Sequence, residues 1–407
     1  MAELTGPRVF ETGVVSGRAL LHAAPALWSY SSLRDVEGCP RRYALSRADY
    51  PDLWDQHGYP RLPIPAAIRG DVVHGALEII VKALVKAGCS STRSAESVAA
   101  LRELGGYTKV AEDVLAKQLA RFDGNPRISS DRRDQLTRQL TDWVPQAREQ
   151  IQTYLNRMEL HPAAATWPGT PPSDPAVRYP ARTGDHPEKE LVAESLRLKG
   201  RIDLLSVEAD GARITDFKTG AEDPAHQDQL HLYALLWSED NLVNPDGLAV
   251  TDLVAAYPSH DVAFAAPTAG QLTGFRALVA TRIDSADIAA SAELPAALIG
   301  DHCGLCSVRG LCDTYLASGT TATAKVSEGA WYDLAGTVVR EHGVKSFVLQ
   351  EARTNAEVLV RTPTPSYAVP IGRDIRILGA RRVVDPDEEE ALIAAVASVS
   401  EILVVDK

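Results

Sequence analysis

The chain has 407 residues, 45% hydrophobic and 24% charged, with a net charge of −12, which is the profile of a globular protein with room for two or three domains. No apolar run approaches the roughly 18–20 residues of a membrane span, and the first residues lack the regions of a signal peptide, so a cytoplasmic protein with no membrane partner is expected. The acidic balance excludes a uniformly basic nucleic-acid binder but leaves room for a local basic channel.

The first informative stretch is residues 28–43, where Ser residues cap a short helix and Cys39-Pro40 marks its end or a turn. Residues 68–87 then carry apolar side chains at helical spacing, with His74 and Glu78 four apart on one face. His74 is either a structural histidine or a neutral imidazole ligand for a metal. Cys89 follows this helix and reads as a buried thiol. Residues 94–158 read as wholly helical. Over 130–158 an apolar stripe including Leu136, Leu140, Trp143, Ile151 and Tyr154 faces away from most of Arg132, Arg133, Arg138, Arg148 and Arg157. That basic face is either solvated or a wall that touches phosphates. Residues 162–187, rich in Pro, Gly and Thr, read as a loop or linker.

The central signal is a predicted hairpin. Two alternating runs, 198–205 and 213–220, flank Asp210-Gly211. At the two-residue period of a strand, Asp216 and Lys218 share a face, and Asp203 lies opposite or diagonal to them. Two carboxylates and an ammonium on one face suit one or two Mg²⁺ or Mn²⁺ ions held by oxygen, with lysine beside the reacting phosphate. After the hairpin, 227–237 reads as a helix that presents Gln229 and Tyr233 on one edge, either to a phosphate or to the sheet. An apolar strand at 253–257 and a helix at 272–290 complete an α/β core covered on both faces.

Cys303, Cys306 and Cys312 follow, with two and then five residues between them. This spacing suits a metal or cluster better than a disulfide, and distant Cys39 is the best fourth ligand. Four thiolates hold either Zn²⁺ or an iron–sulfur cluster. Residues 317–324 read as a linker. Strands are predicted at 331–340, 346–351, 357–361, 367–370 and 374–384, with a closing helix at 387–399, the pattern of a small barrel. Between 331 and 384 eight basic residues face five acidic ones. Trp331, Tyr332, Phe347 and Tyr367 are available for stacking, so the barrel's ligand is either single-stranded nucleic acid or a protein.

Taken in order, Cys39-Pro40, the Gly70…His74…Glu78 helix, Gly200-Arg201-Ile202-Asp203, Asp216-Phe217-Lys218-Thr219-Gly220, Gln229-x-x-x-Tyr233 and the cysteine trio resemble the PD-(D/E)XK nuclease superfamily. They are most similar to its RecB-like branch with a four-cysteine iron–sulfur cluster, which includes AddB-type and CRISPR-associated RecB-like exonucleases. The resemblance covers roughly residues 28–316 and implies a restriction-endonuclease-like α/β fold, a mixed sheet flanked by helices, with a helical insertion at about 90–160. The C-terminal barrel, 325–407, resembles an OB-fold. Domains are expected at 1–67, carrying the first cluster cysteine, at 68–316 and at 325–407.

By the same resemblance, His74, Asp203 and Asp216 bind Mg²⁺ or Mn²⁺, with the Phe217 carbonyl as a further ligand, and Lys218 is catalytic. Gln229 and Tyr233, with Arg201, guide DNA. Cys39, Cys303, Cys306 and Cys312 hold [4Fe–4S], with Zn²⁺ the less favoured occupant. The family's glutamate on the preceding strand maps to Glu190 or Glu194. The expected function is a metal-dependent deoxyribonuclease, exonuclease in type, on single-stranded DNA or DNA ends in repair, recombination or phage defence. Any helicase or defence subunit is a separate chain, since no G-x-x-x-x-G-K-[ST] loop is present. The alternative is a non-catalytic, cluster-stapled subunit that binds DNA ends or flaps.

Overall fold

The computed structural model describes the backbone of residues 9–12, and residues 21–162, 178–363, 371–386, 390–397 and 399–405. A short strand, β1 (Val9–Thr12), precedes helices α1 (Tyr30–Gly38) and α2 (Pro40–Arg47). Ser29 and Ser32 open α1 with a capping box. Cys39 both ends α1 and begins α2, and Pro40 occupies the first turn, where no backbone donor is needed.

Helix α3 (Pro65–Lys86) buries Ile68, Val72, Ala76 and Ile80 along one side. The insertion then folds as α4 (Ala95–Glu103), α5 (Gly106–Ala120), α6 (Ser130–Thr141) and α7 (Val144–Arg157). The apolar stripe over 130–158 is therefore carried by two helices. Pro145 in the first turn of α7 cannot donate into a preceding turn, so the break falls just before it.

The sheet behind these helices runs β2 (Gly184–Ala193), β3 (Leu198–Val207), β4 (Ala212–Phe217), then, after α8 (Ala225–Glu239), β5 (Val250–Ala256) and β6 (Asp261–Ala265). Spatial order follows sequence order. Only the β4–β5 pair, which spans a helical crossover, is parallel. Leu204, Phe217 and Ala256 join α3, α5 and α7 in one core, while Leu205, Ile214, Leu253 and Ala255 join α8 and α9 (Ala269–Ala290) in the other. Neighbouring residues of one strand thus feed opposite cores, which is why both faces are covered.

Six further strands follow: β7 (Trp331–Glu341), β8 (Ser346–Glu351), β9 (Glu357–Arg361), β10 (Asp374–Val383), β11 (Leu392–Ala395) and β12 (Glu401–Val405). Five of them close a barrel in the order β7-β8-β9-β11-β10-β7, with β9 and β11 parallel, consistent with an OB-like domain. The pairing of β10 with β7 shifts between Ile377 and Ala380, where Gly379 takes φ +69°. Beyond this bulge β10 pairs with β11, and before it with β12, which β1 joins in parallel.

The closing helix expected at 387–399 is not formed: β11 occupies Leu392–Ala395. Its helix-favouring alanines are overridden because pairing with β9 and β10 satisfies the backbone and buries Ile393 and Ala394. The strand expected at 367–370 lies outside the described residues. Barrel and core are joined by charge. Arg127 from the insertion reaches Glu401 at 2.8 Å with both side chains buried, Arg309 reaches Asp333 at 2.6 Å, and Arg376 donates to Gly310 O at 2.7 Å. Among the described residues no helix is long and apolar enough to cross a membrane.

Candidate active site

Helix α3, strands β2, β3 and β4, and helix α8 each deliver one part of a single polar cluster. His74 Nε2 lies 3.0 Å from Asp203 Oδ2, and the same oxygen accepts the Phe217 backbone N–H at 2.6 Å. Asp203 is thereby fixed on both sides, by α3 and by the end of β4. Asp216 is buried beside it. Its Oδ2 is ion-paired with the Lys218 ammonium but accepts no hydrogen bond of good geometry.

Lys218 Nζ donates to Gln229 Oε1 at 2.8 Å, and Gln229 Nε2 donates to the Tyr233 hydroxyl at 2.8 Å. An ammonium only donates, so the amide must present its oxygen to Lys218 and its nitrogen to Tyr233. The backbone of Lys218 is held as firmly: its N–H donates to Ala256 O at 2.8 Å, and its carbonyl accepts from the Tyr154 hydroxyl at 2.6 Å. Gly200 is required where α8 crosses β3, because a Cβ there would meet Leu236 and Tyr233 at 2.7 and 2.9 Å.

One residue that sequence reasoning missed completes the cluster. Ligand atoms of His74, Glu188 and Asp203 all lie within 4.8 Å of one another. On β2 it is thus Glu188, rather than Glu190 or Glu194, that the structure brings within ligand distance of Asp203 and His74. Glu190 lines a groove beside the site, and Glu194 sits exposed in the 3-10 turn after β2. The signal that would have found Glu188 is pairing: Pro187 faces Leu204 and Lys189 faces Ile202, which puts Glu188 opposite Asp203. Its φ of +56° is a strained conformation for a side-chain-bearing residue, held at the site by the surrounding sheet. Glu78 lies close enough for its charge to act on Glu188, and it pairs with Lys82.

The electrostatics are those of carboxylates crowded together under burial. Burial, then Asp203 and Glu78, pushes the Glu188 carboxyl up to about 7. Burial and the Asp203 charge also raise Asp216. At His74 burial opposes the imidazolium, but the hydrogen bond and charge of Asp203 outweigh it and hold the ring up to about 9. Converging acids that resist ionisation, with one histidine, fit a hard divalent cation. Arg201, exposed on β3, approaches Glu188 at 3.6 Å.

Beside Gln229 and Tyr233 opens a groove of about 670 Å³, lined by Tyr30, Arg34 and Arg42 of the first two helices and by Lys199 and Arg201. The arginines of the insertion are less available than their sequence suggests. Arg157 holds α7 to the sheet through Tyr257 O, Pro258 O and Asp261, and Arg133 pairs with Asp123, whereas Arg138 and Arg148 are exposed. In the barrel, Tyr332 and Phe347 are interior and cannot stack on bases, Trp331 is exposed, and Tyr367 lies outside the described residues. The expected barrel surface for stacking is thus reduced.

The cysteines converge. Cys39, Cys303, Cys306 and Cys312 line one small cavity together with Leu298 and Ile299. Cys39 Sγ accepts the Arg42 N–H at 3.4 Å, while the other three sit around two 3-10 turns, Asp301–Leu305 and Arg309–Leu311. Burial raises the Cys306 and Cys312 thiols, so a thiolate set here fits a bound cationic centre. Four Zn–S bonds of about 2.3 Å would bring the sulfurs to roughly 3.8 Å from one another. Among the described residues, no three of these sulfurs lie within 4.8 Å of one another. Cys89 is buried in the core of α3, α5 and α7, apart from them.

A sequence profile described as the PD-(D/E)XK nuclease superfamily matches residues 27–313, more than half of the chain. The matched span holds every residue of the cluster around Asp203 and Lys218 and all four convergent cysteines. Among curated proteins no match is found.

Proposed function

Because the chain belongs to the PD-(D/E)XK nuclease superfamily, we propose that it is a metal-dependent deoxyribonuclease of the RecB-like branch acting on single-stranded DNA or DNA ends. The observation that carries this reading is the unbroken chain Asp216–Lys218–Gln229–Tyr233 beside the ligand group of His74, Glu188 and Asp203. Mg²⁺ or Mn²⁺ held by His74, Glu188, Asp203 and Asp216, with the Phe217 carbonyl as a further ligand, supplies Lewis-acid polarisation of the phosphodiester and offsets its charge. Lys218, clamped by Asp216 and Gln229, directs its remaining N–H toward the attacking water and stabilises the oxyanion of the transition state.

A groove beside the site supports the substrate class. At about 670 Å³ it suits roughly one or two nucleotides of a single strand. Arg34, Arg42, Lys199 and Arg201 offer phosphate contacts, with Tyr30 for stacking. Gln229 and Tyr233 lie at its junction with the catalytic lysine. The four cysteines hold a [4Fe–4S] cluster, a reading supported by their convergence on one small cavity. The cluster ties the α1–α2 elbow to the segment before the barrel. The barrel's exposed surface serves a partner or the continuing strand.

Cleavage of single-stranded and blunt duplex DNA, labelled at either end, with Mg²⁺, Mn²⁺ or chelator tests the reading. Metal-dependent cutting of single strands is expected, with polarity given by the label. Binding of DNA ends without cutting under any metal would instead favour a non-catalytic subunit.

A further inference from the structure

We propose that His22, Asp49 and His57 form a separate binding site for a zinc-class divalent ion. His22 Nε2 lies 3.2 Å from Asp49 Oδ2, and His57 Nδ1 lies 2.7 Å from Asp49 Oδ1. The three ligand atoms fall within 4.8 Å of one another, and the two imidazole rings meet edge to face at 6.2 Å. Zn–N and Zn–O bonds of about 2.0–2.1 Å in a tetrahedron place ligand atoms roughly 3.3 Å apart. The two His–Asp distances, 3.2 and 2.7 Å, lie near and somewhat below that spacing.

The donor set decides the ion. Two imidazole nitrogens and one carboxylate suit Zn²⁺, Co²⁺ or Ni²⁺, whereas Mg²⁺ favours a mostly oxygen ligand set and keeps several waters. The cluster at Asp203, with its several carboxylates, takes Mg²⁺ or Mn²⁺, so excess Mg²⁺ competes for that site more than for this one.

The ligands come from two separate stretches, and the ground beneath them is fixed. Asp49 sits between Ala48 and Tyr50, which are 0% and 1% exposed. The Tyr50 hydroxyl donates to Leu45 O at 2.6 Å, and its ring meets Tyr59 edge to face. The turn that carries His57 is pinned by Trp54 Nε1 donating to Gly58 O at 2.7 Å and by Tyr59 N–H donating to Ser46 O at 3.2 Å. Gly58, at φ +80°, lets this turn approach α2, where a Cβ would lie 2.7 Å from Ser46 O. Preorganisation of this kind lowers the ordering cost of binding.

His22 and His57 are half and nearly fully exposed, so the remaining coordination position opens to water. An ion here links the stretch before α1 to the loop between α2 and α3. That loop rests on the small core containing Val308 and Leu311, which Cys306 also touches.

The full-length protein, dialysed against Zn²⁺ in excess Mg²⁺, is assayed for zinc per chain by mass spectrometry. Melting temperature with and without zinc is measured in parallel. Wild type should hold one more zinc per chain than Asp49→Asn or His57→Ala, and zinc should raise the melting temperature of wild type alone. His57 is exposed, so its alanine variant does not threaten the fold. Any zinc at the cysteines is common to all variants and cancels. Equal zinc in the three proteins, or a zinc lost only in His74→Ala, would overturn the proposal.

Discussion

Glu188 and Asp203 face each other across the β2–β3 pair, with ligand atoms within 4.8 Å that also include His74. The strained backbone of Glu188, at φ +56°, aims a carboxylate that ordinary alternation along β2 would not single out. Glu188→Gln should therefore weaken Mn²⁺ binding by at least about 10-fold, the lower range for disturbing a metal's surroundings, and reduce cleavage accordingly. Glu190→Gln should change binding little. Calorimetric titration of both variants decides between the two glutamates.

The metal-free site has a defined pH signature. Glu188, raised to about 7 from 4.5, and His74, raised to about 9 from 6.5, both bind protons more tightly in the folded chain than in the unfolded one. Their stabilising contribution is complete below the unfolded values and is lost as pH rises through the folded values. Melting temperature in chelator should fall between about pH 5 and 9 from these groups. Mg²⁺ should flatten the fall, because it takes the place of the protons. A melting temperature that is flat with pH in chelator would contradict this charge balance.

Much of this was legible in the sequence. Asp203, Asp216 and Lys218 were placed by the two-residue period and the Asp210-Gly211 turn, and Gln229 and Tyr233 by helical spacing, because those signals are local. Glu188 was hidden because its position depends on strand register and a positive φ, which composition does not encode. The strand at Leu392–Ala395 reads as helix in sequence because its alanines favour helix locally, while its pairing partners lie elsewhere in the chain. Phe347 and Tyr332 looked like stacking surfaces because alternation cannot say which face of a strand turns inside a closed barrel. The contribution of Arg34 and Arg42 to a groove could not be seen, since helices distant from the hairpin meet it only in three dimensions.

The groove makes a salt-dependence prediction. Each phosphate contact to a single strand contributes about 0.7 to the slope of log affinity against log salt. Arg34→Ala and Arg42→Ala together should lower the slope for a fluorescent single-stranded oligonucleotide, measured in chelator, by about 1.4. Arg138→Ala, on the insertion, should leave it nearly unchanged. Equal slopes throughout would place the strand elsewhere.

The link between barrel and insertion rests on a buried pair. Arg127→Ala leaves Glu401 buried and unpaired and removes donors to Pro60 O and Ser307 O. Breaking such a pair costs about 3–5 kcal/mol, read as a lower midpoint in denaturant. A double replacement, Arg127→Met with Glu401→Leu, should recover most of that loss.

Cys39 spans two helices and should be indispensable to the cysteine centre. Cys39→Ser should abolish bound iron and visible absorption in protein prepared anaerobically and lower the melting temperature. Cys89→Ser, in a separate apolar core, should keep both the iron and the colour. Zinc in place of iron in the wild type would remove the cluster assignment while leaving the ligand set intact.

The most direct test of the central claim is single-turnover cleavage of end-labelled single-stranded DNA by wild type and Lys218→Ala at saturating Mn²⁺. Lys218 touches both Asp216 and Gln229, and an ammonium has no lone pair to give a metal, so its loss bears on the chemical step. A catalytic lysine predicts a rate lower by about 100-fold or more, with DNA and Mn²⁺ binding retained. An unchanged rate, or the absence of any Mn²⁺-dependent cleavage by wild type, would contradict the assignment of this cluster as a nuclease centre.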